Sequence, residues 1–194
     1  MLRLLKIIDR IARENNISYW IAGGSMIGVA RHHGFIPWDD DLDIELLKHD
    51  YIKLIECLTD YSNKHNDAFI FFQYPQDSHC CNYFASTRCF LRTQGSPYIY
   101  PAKVDIRPYN CIKNTEDEIT NNLKNQDVAN NFIFGKTYSV ATTEDLKRHE
   151  KKAFFRMYNS EYGLYDPRAE DAIFVPPYFE YSMKFDFKYE HIFP

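Results

Sequence analysis

Apolar positions lay out the first sixty residues as alternating helix and strand. Leu4, Ile7, Ile8, Ile11 and Ala12 recur with the helical period, and Asn15-Asn16 closes that helix before an apolar strand at about residues 19–22. Gly23-Gly24 breaks the strand. Ser25 is placed to cap a short helix from Met26 to about His32, which Gly34 ends. After Pro37, residues 39–46 predict a second strand, with Leu42, Ile44 and Leu46 on one face and the odd-numbered aspartates on the other. Asp50 then caps a helix whose Tyr51, Leu54, Ile55, Leu58 and Tyr61 form an apolar stripe.

Farther along, strands are expected at 68–74, 82–91 and 103–109, with Pro75, Pro97 and Pro101 as breaks, all extending one sheet. Thr115 with Glu118 predicts the start of a polar helix. Thr142 with Asp145 predicts another, carrying Leu146, Ala153, Phe154, Met157 and Tyr158. From Asp166 onward the prolines and aromatics predict irregular structure. The alternation is that of an α/β (α+β) chain.

Composition narrows the class. With 194 residues and 45% hydrophobic content the chain can bury the core of a single domain. A net charge of -4 argues against a general nucleic-acid binder, which carries a basic excess. The five cysteines, Cys57, Cys80, Cys81, Cys89 and Cys111, have no CxxC spacing and no secretory signal before them, so a reducing, cytoplasmic compartment is expected. Charges interrupt the apolar N-terminus every few residues. No run approaches the roughly 20 apolar residues of a membrane span.

The chemistry lies where a glycine-serine turn meets a string of acids. Gly23-Gly24-Ser25 can offer backbone N–H groups to a phosphate at a helix N-terminus. Asp39, Asp41 and Asp43, two apart on a strand, sit roughly 6 to 7 Å apart at Cα, so neighbours can converge on one cation. Hard oxygen ligands suit Mg²⁺ or Mn²⁺ better than zinc. Asp105, an acid between β-branched residues in Lys103-Val104-Asp105-Ile106-Arg107-Pro108, is the candidate third ligand. A bare run of acids is as readily a solvated loop; fewer than twenty residues after a Gly-Gly-Ser turn and leading into an apolar strand, it reads as a site.

The run Arg31-His32, then Gly34-Phe35-Ile36-Pro37-Trp38-Asp39-Asp40-Asp41-Leu42-Asp43, resembles the LicD family of the nucleotidyltransferase fold, which includes phosphocholine transferases and fukutin-related sugar-alcohol phosphate transferases. The likeness is dense over residues 17–50 and returns at Val104-Asp105-Ile106 with Pro108 and at His191-Ile192-Phe193-Pro194. It implies a mixed central sheet flanked by helices, in one LicD-like domain over 1–194. It also implies transfer of a phospho-alcohol group from a CDP-linked donor to a carbohydrate hydroxyl. On that reading Asp41 and Asp43 hold Mg²⁺ or Mn²⁺, Asp105 shares a second metal or accepts the attacking hydroxyl's proton, and Asp39 is an outer helper. Gly23, Gly24, Ser25, Arg31 and His32 bind substrate phosphate. Two departures stand out: Arg107 lies where an aromatic is more usual, and Pro194 precedes the family's Tyr-Gly-containing stretch, as in a truncated or minimal domain.

Two other functions fit the same residues. A nucleotidyltransferase moving a nucleotide onto a small molecule or RNA would release pyrophosphate rather than a nucleoside monophosphate. A non-catalytic binding module would keep the fold without metal affinity. His79-Cys80-Cys81 lacks a second pair at zinc spacing, Trp38 is as readily a packing anchor as a stacking platform, and the Lys147–Lys152 run is a solvated face broken by an acid.

Overall fold

The computed structural model describes residues 1–72, 82–92, 99–119 and 163–175. These fall into two compact units, the first holding residues 1–73 and 80–107 and the second residues 74–79 and 108–194. No helix among the described residues is long and apolar enough to cross a membrane.

The first unit opens with α1 (Leu2–Glu14), which buries Leu4, Ile8, Ile11 and Ala12, the face its periodicity predicts. Asn16, at φ 52, then takes the left-handed turn. β1 is only two residues, Trp20–Ile21, and pairs antiparallel with β2 (Asp43–Leu47), setting Trp20 opposite Glu45 and Ile21 opposite Ile44. α2 (Gly23–His32) lies between them, and α3 (Lys48–Lys64) follows β2, burying Tyr51, Leu54 and Leu58. β3 (Ala68–Phe72), β4 (Asn82–Arg92) and β5 (Ile99–Lys113) complete the sheet. Its order is β1-β2-β5-β4-β3, a mixed sheet flanked by helices. Ile44, Leu46, Phe84, Val104 and Ile106 are fully buried in its core.

Several local expectations are corrected. The second strand begins at Asp43, four residues later than expected, because the chain turns after Pro37, with the Asp39 amide donating to the Ile36 carbonyl at 3.0 Å. α2 starts at Gly23, so Ser25 lies inside the helix instead of capping it. The left-handed residue that ends α2 is His33, at φ 53, and not Gly34. Asp50 sits in the first turn of α3 and accepts from the Ser18 amide at 3.2 Å, a link to another segment rather than a cap. Pro101 does not break its strand. It lies opposite Phe90, beside the register shift between Ala85 and Phe90, where the ladder is already irregular and a missing N–H costs little.

Pro108 is also inside β5. It falls between the last pairing with β4, at Ile106, and the first with β6 (Ala172–Val175), at Asn110. The second unit thus has β6 antiparallel to residues 110–113, where irregular structure was expected after Asp166; Ile173 and Phe174 are buried there, which explains the strand. The Glu118 amide donates to Thr115 Oγ1 at 3.3 Å, as the capping pattern predicts. The Thr142–Asp145 start, Cys80-Cys81, the Lys147–Lys152 run and His191–Pro194 lie outside the described residues.

Gly28 in α2 fixes the approach to the acidic segment. A Cβ there would stand 2.6 Å from the Gly34 carbonyl oxygen and 3.1 Å from the Ile36 nitrogen. Ala in place of a helix-interior Gly ordinarily gains up to about 1 kcal/mol. Here backbone must move, and overpacking of this kind costs about 1–3 kcal/mol, so Gly28→Ala is expected to lower the melting temperature. A raised melting temperature would show that the 34–36 segment yields without strain.

Candidate active site

Two strands and one helix end bring the acids together. Asp43 is the first residue of β2, and Asp105 lies on β5 with its amide donating to the carbonyl of Leu42 at 2.7 Å. That bond ties the backbone on either side of the two carboxylates. On β5 the side chains alternate, so Val104 and Ile106 enter the core while Lys103, Asp105 and Arg107 share the other face. Asp41, in the irregular segment before β2, completes the set: carboxylate oxygens of Asp41, Asp43 and Asp105 lie within 4.8 Å of one another. Asp39, Asp40 and Asp41 form a second such group, more open to solvent. Tyr100 donates a hydrogen bond to Asp40, holding it at an exposed position.

The glycines let helix and acids meet. A Cβ on Gly23 would stand 2.8 Å from Asp43 Oδ2, and one on Gly24 would stand 3.2 Å from Asp39 Oδ2. Carboxylates are favoured at this end of α2 by the partial positive charge of its free amides. Ser25 is used internally: its Oγ accepts the Asp43 amide at 3.0 Å in a buried bond that locks α2 to the start of β2. Arg31 and His32 are exposed in the last turn of α2, roughly 10 Å along the axis from Gly24. Among the described residues neither forms an ion pair with an acid, and the His32 ring instead meets Trp38 edge-on at 6.2 Å. Trp38 itself is 82% exposed, so packing does not account for it.

Two basic residues that sequence reasoning did not use complete the site. Lys103 Nζ lies 2.5 Å from Asp105 Oδ1 and 4.1 Å above the ring of Tyr83, which stands opposite Asp105 on β4. Arg107 Nη2 lies 2.8 Å from Asp43 Oδ1 and 3.6 Å from Asp105 Oδ2. The signal was present in the spacing: Lys-x-Asp-x-Arg on a strand puts both cations beside the acid.

Burial dominates the electrostatics. It pushes the Asp43 carboxyl up to about 7, Arg107 pulling it down and the Asp105 and Asp41 charges adding to the rise. Asp105 is raised by the same desolvation, with Lys103 and Arg107 opposing it; Asp39 is raised by burial and by its neighbour Asp41. The stability consequence has a definite sign. Between the ordinary carboxylate range and about pH 7, folded Asp43 keeps a proton that the unfolded chain has released, so stability falls as pH rises through that window. In the presence of EDTA, thermal melts from pH 5 to pH 8 are expected to decline by roughly 5 °C or more, and Asp43→Asn is expected to flatten the profile. A slope unchanged by that substitution would place the titrating group elsewhere.

Comparison with known proteins places the chain in a family. An uncharacterized protein of Rickettsia typhi is 37% identical over 73 residues, which is 35% of this chain and 24% of that protein. The lipopolysaccharide cholinephosphotransferase LicD of Haemophilus influenzae is 34% identical over 64 residues, 33% of this chain and 24% of that protein. The human ribitol 5-phosphate transferase FKRP is 47% identical over 34 residues, 18% of this chain and 7% of that protein. The chain thus aligns with about a quarter or less of the length of these relatives. No solved structure matches it. The model of the family described as LicD/FKTN/FKRP, nucleotidyltransferase domain, matches residues 16–138, which take in α2, the acidic segment and the whole of β5, and the chain belongs to that family.

Proposed function

We propose that this chain is a metal-dependent phosphotransferase that moves a phospho-alcohol group, phosphocholine-like or a sugar-alcohol phosphate, from a CDP-linked donor to a carbohydrate hydroxyl. The observation that carries the reading is the convergence of Asp41, Asp43 and Asp105 beside the N-terminal end of α2. Membership of the family supports it, as do the names of two relatives, a cholinephosphotransferase and a ribitol 5-phosphate transferase.

The residues fit Mg²⁺ or Mn²⁺. Octahedral coordination at about 2.1 Å sets ligand oxygens roughly 3 to 4 Å apart, and the three carboxylates, within 4.8 Å of one another, are near that spacing. Asp43 Oδ1 is buried and accepts no hydrogen bond, although Arg107 lies beside it. Its charge is balanced by the Arg107 guanidinium at 2.8 Å, and a divalent ion would supply the contact its lone pairs lack. When bound, the ion supplies neutralisation of the donor diphosphate, easing departure of the nucleoside monophosphate. Asp105, 2% exposed and tied by its backbone to Leu42, suits a ligand better than a base that must reach an acceptor hydroxyl. The amides of Gly23 and Gly24, in the first turn of α2 where the helix offers them no carbonyl, would orient donor phosphate. Asp39, raised by burial and Asp41, acts from the rim.

The test is to incubate the protein with Mg²⁺, a carbohydrate acceptor and a panel of CDP- and GDP-linked donors, and to identify the nucleotide released. Cytidine monophosphate from a CDP-linked donor is the expected product. Pyrophosphate would turn the reading to nucleotide transfer, and no turnover with no Mg²⁺ or Mn²⁺ affinity would turn it to a non-catalytic binding module.

A further inference from the structure

The place between Asp43 and Asp105 is already taken by a cation. Lys103 lies on Asp105 and Arg107 on both Asp43 and Asp105, within the group of carboxylates that Asp41 completes. A divalent ion entering alone would meet the guanidinium held on two of the three ligands. Like charges held side by side at a partly buried site repel, so that arrangement opposes entry of the ion. A nucleoside diphosphate entering with the ion offers the guanidinium another anion.

The two cations are not equivalent. Lys103 is fixed from two sides, by Asp105 Oδ1 at 2.5 Å and by the Tyr83 ring at 4.1 Å. Arg107 bridges Asp43 and Asp105 on the neighbouring strands β2 and β5, and the oxygen it approaches most closely, Asp43 Oδ1, accepts no hydrogen bond. Its planar fork matches phosphate as well as carboxylate. We infer that Arg107 holds the place of the cation between Asp43 and Asp105 and passes to the donor diphosphate when metal enters, so that metal and nucleotide bind as a coupled pair. This assigns Arg107 as a positioning residue that makes occupation of the metal site depend on donor. It rests on the metal-dependent reading above.

The coupling is measured by calorimetric titration of Mn²⁺ into wild type, Arg107→Met and Arg107→Gln, each with and without cytidine diphosphate. In wild type, cytidine diphosphate is expected to tighten Mn²⁺ binding by about tenfold or more, within the usual range of linkage between two sites. In both variants Mn²⁺ alone is expected to bind about tenfold more tightly than in wild type, because no guanidinium is displaced, and most of the enhancement by nucleotide disappears. The metal-free variants should melt at a lower temperature, with a larger upward shift on adding Mn²⁺, since two buried carboxylates lose their counter-charge. Unchanged or weaker Mn²⁺ binding in a folded variant, or equal enhancement by nucleotide in wild type and variant, would overturn the role of Arg107 while leaving the metal site standing. Mn²⁺ binding by none of the proteins, with or without nucleotide, would overturn the metal-dependent reading itself and the inference with it.

Discussion

Asp43→Asn is expected to lower metal-dependent transfer by about a thousandfold or more, since a carboxylate ligand supports several kcal/mol of transition-state stabilisation and each 1.36 kcal/mol is a factor of ten. The amide keeps the shape of the side chain and removes the charge. The fold should survive. Burial is the larger influence on Asp43 and the attraction of Arg107 the smaller one, so removing the charge relieves more than it forfeits near neutral pH. The Asp43 amide, donating to Ser25 Oγ, is untouched by the change, and Arg107 keeps Asp105 as a partner at 3.6 Å. Transfer rate and melting temperature separate the two effects. Asp50→Asn is the matching control, a buried acid bonded to the Ser18 amide outside the cluster, and it should leave the rate near that of wild type. Near-normal transfer by folded Asp43→Asn would remove Asp43 from the ligand set.

The apolar periodicity carried most of the first unit, because α1 and α3 each bury one face and the burial is written in the spacing of Leu4, Ile8 and Ile11 or of Tyr51, Leu54 and Leu58. What the pattern misplaced were boundaries set by tertiary bonds. Ser25 has the chemistry of a cap, yet its hydroxyl goes to Asp43, eighteen residues away, a partner invisible to any local rule. Pro101 and Pro108 are strand breakers only where a ladder needs their N–H, and whether it does depends on which strand lies alongside.

The candidate site was legible in its acids, since Asp41, Asp43 and Asp105 do converge. Its geometry differs from the expected strand face, because Asp39 and Asp41 precede β2 and reach the cluster through a turn. Arg107 and Lys103 were harder to read. Beside an acid on a strand, a basic residue is as often a surface partner as part of a site, and only the burial of both acids gives these contacts weight.

Gly23→Ala is expected to reduce transfer by about a hundredfold, the scale of loss for a reacting group displaced by about 1 Å. Its cost in stability is smaller, about 1–2 kcal/mol for an L-residue held left-handed. Gly23 has φ +53, and its added Cβ would stand 2.8 Å from Asp43 Oδ2. Either the helix start or the carboxylate must move. The helix start is tied to β2 by the Ala22 amide on the Asp43 carbonyl at 3.0 Å and by Ser25 Oγ on the Asp43 amide at 3.0 Å, so the carboxylate is the part that yields. It then turns away from Asp41 and Asp105, and the ligand set opens. Gly24→Ala tests this account, because φ there is ordinary and the nearest atom is Asp39 Oδ2 at 3.2 Å, outside the triad. That variant should lose only a few-fold in rate, in line with displacement of a rim residue worth about 1 kcal/mol or less. Equal losses from the two alanines would mean that the turn acts through its backbone amides on donor phosphate, whereas the large loss at Gly23 alone ties the glycine to the placement of Asp43.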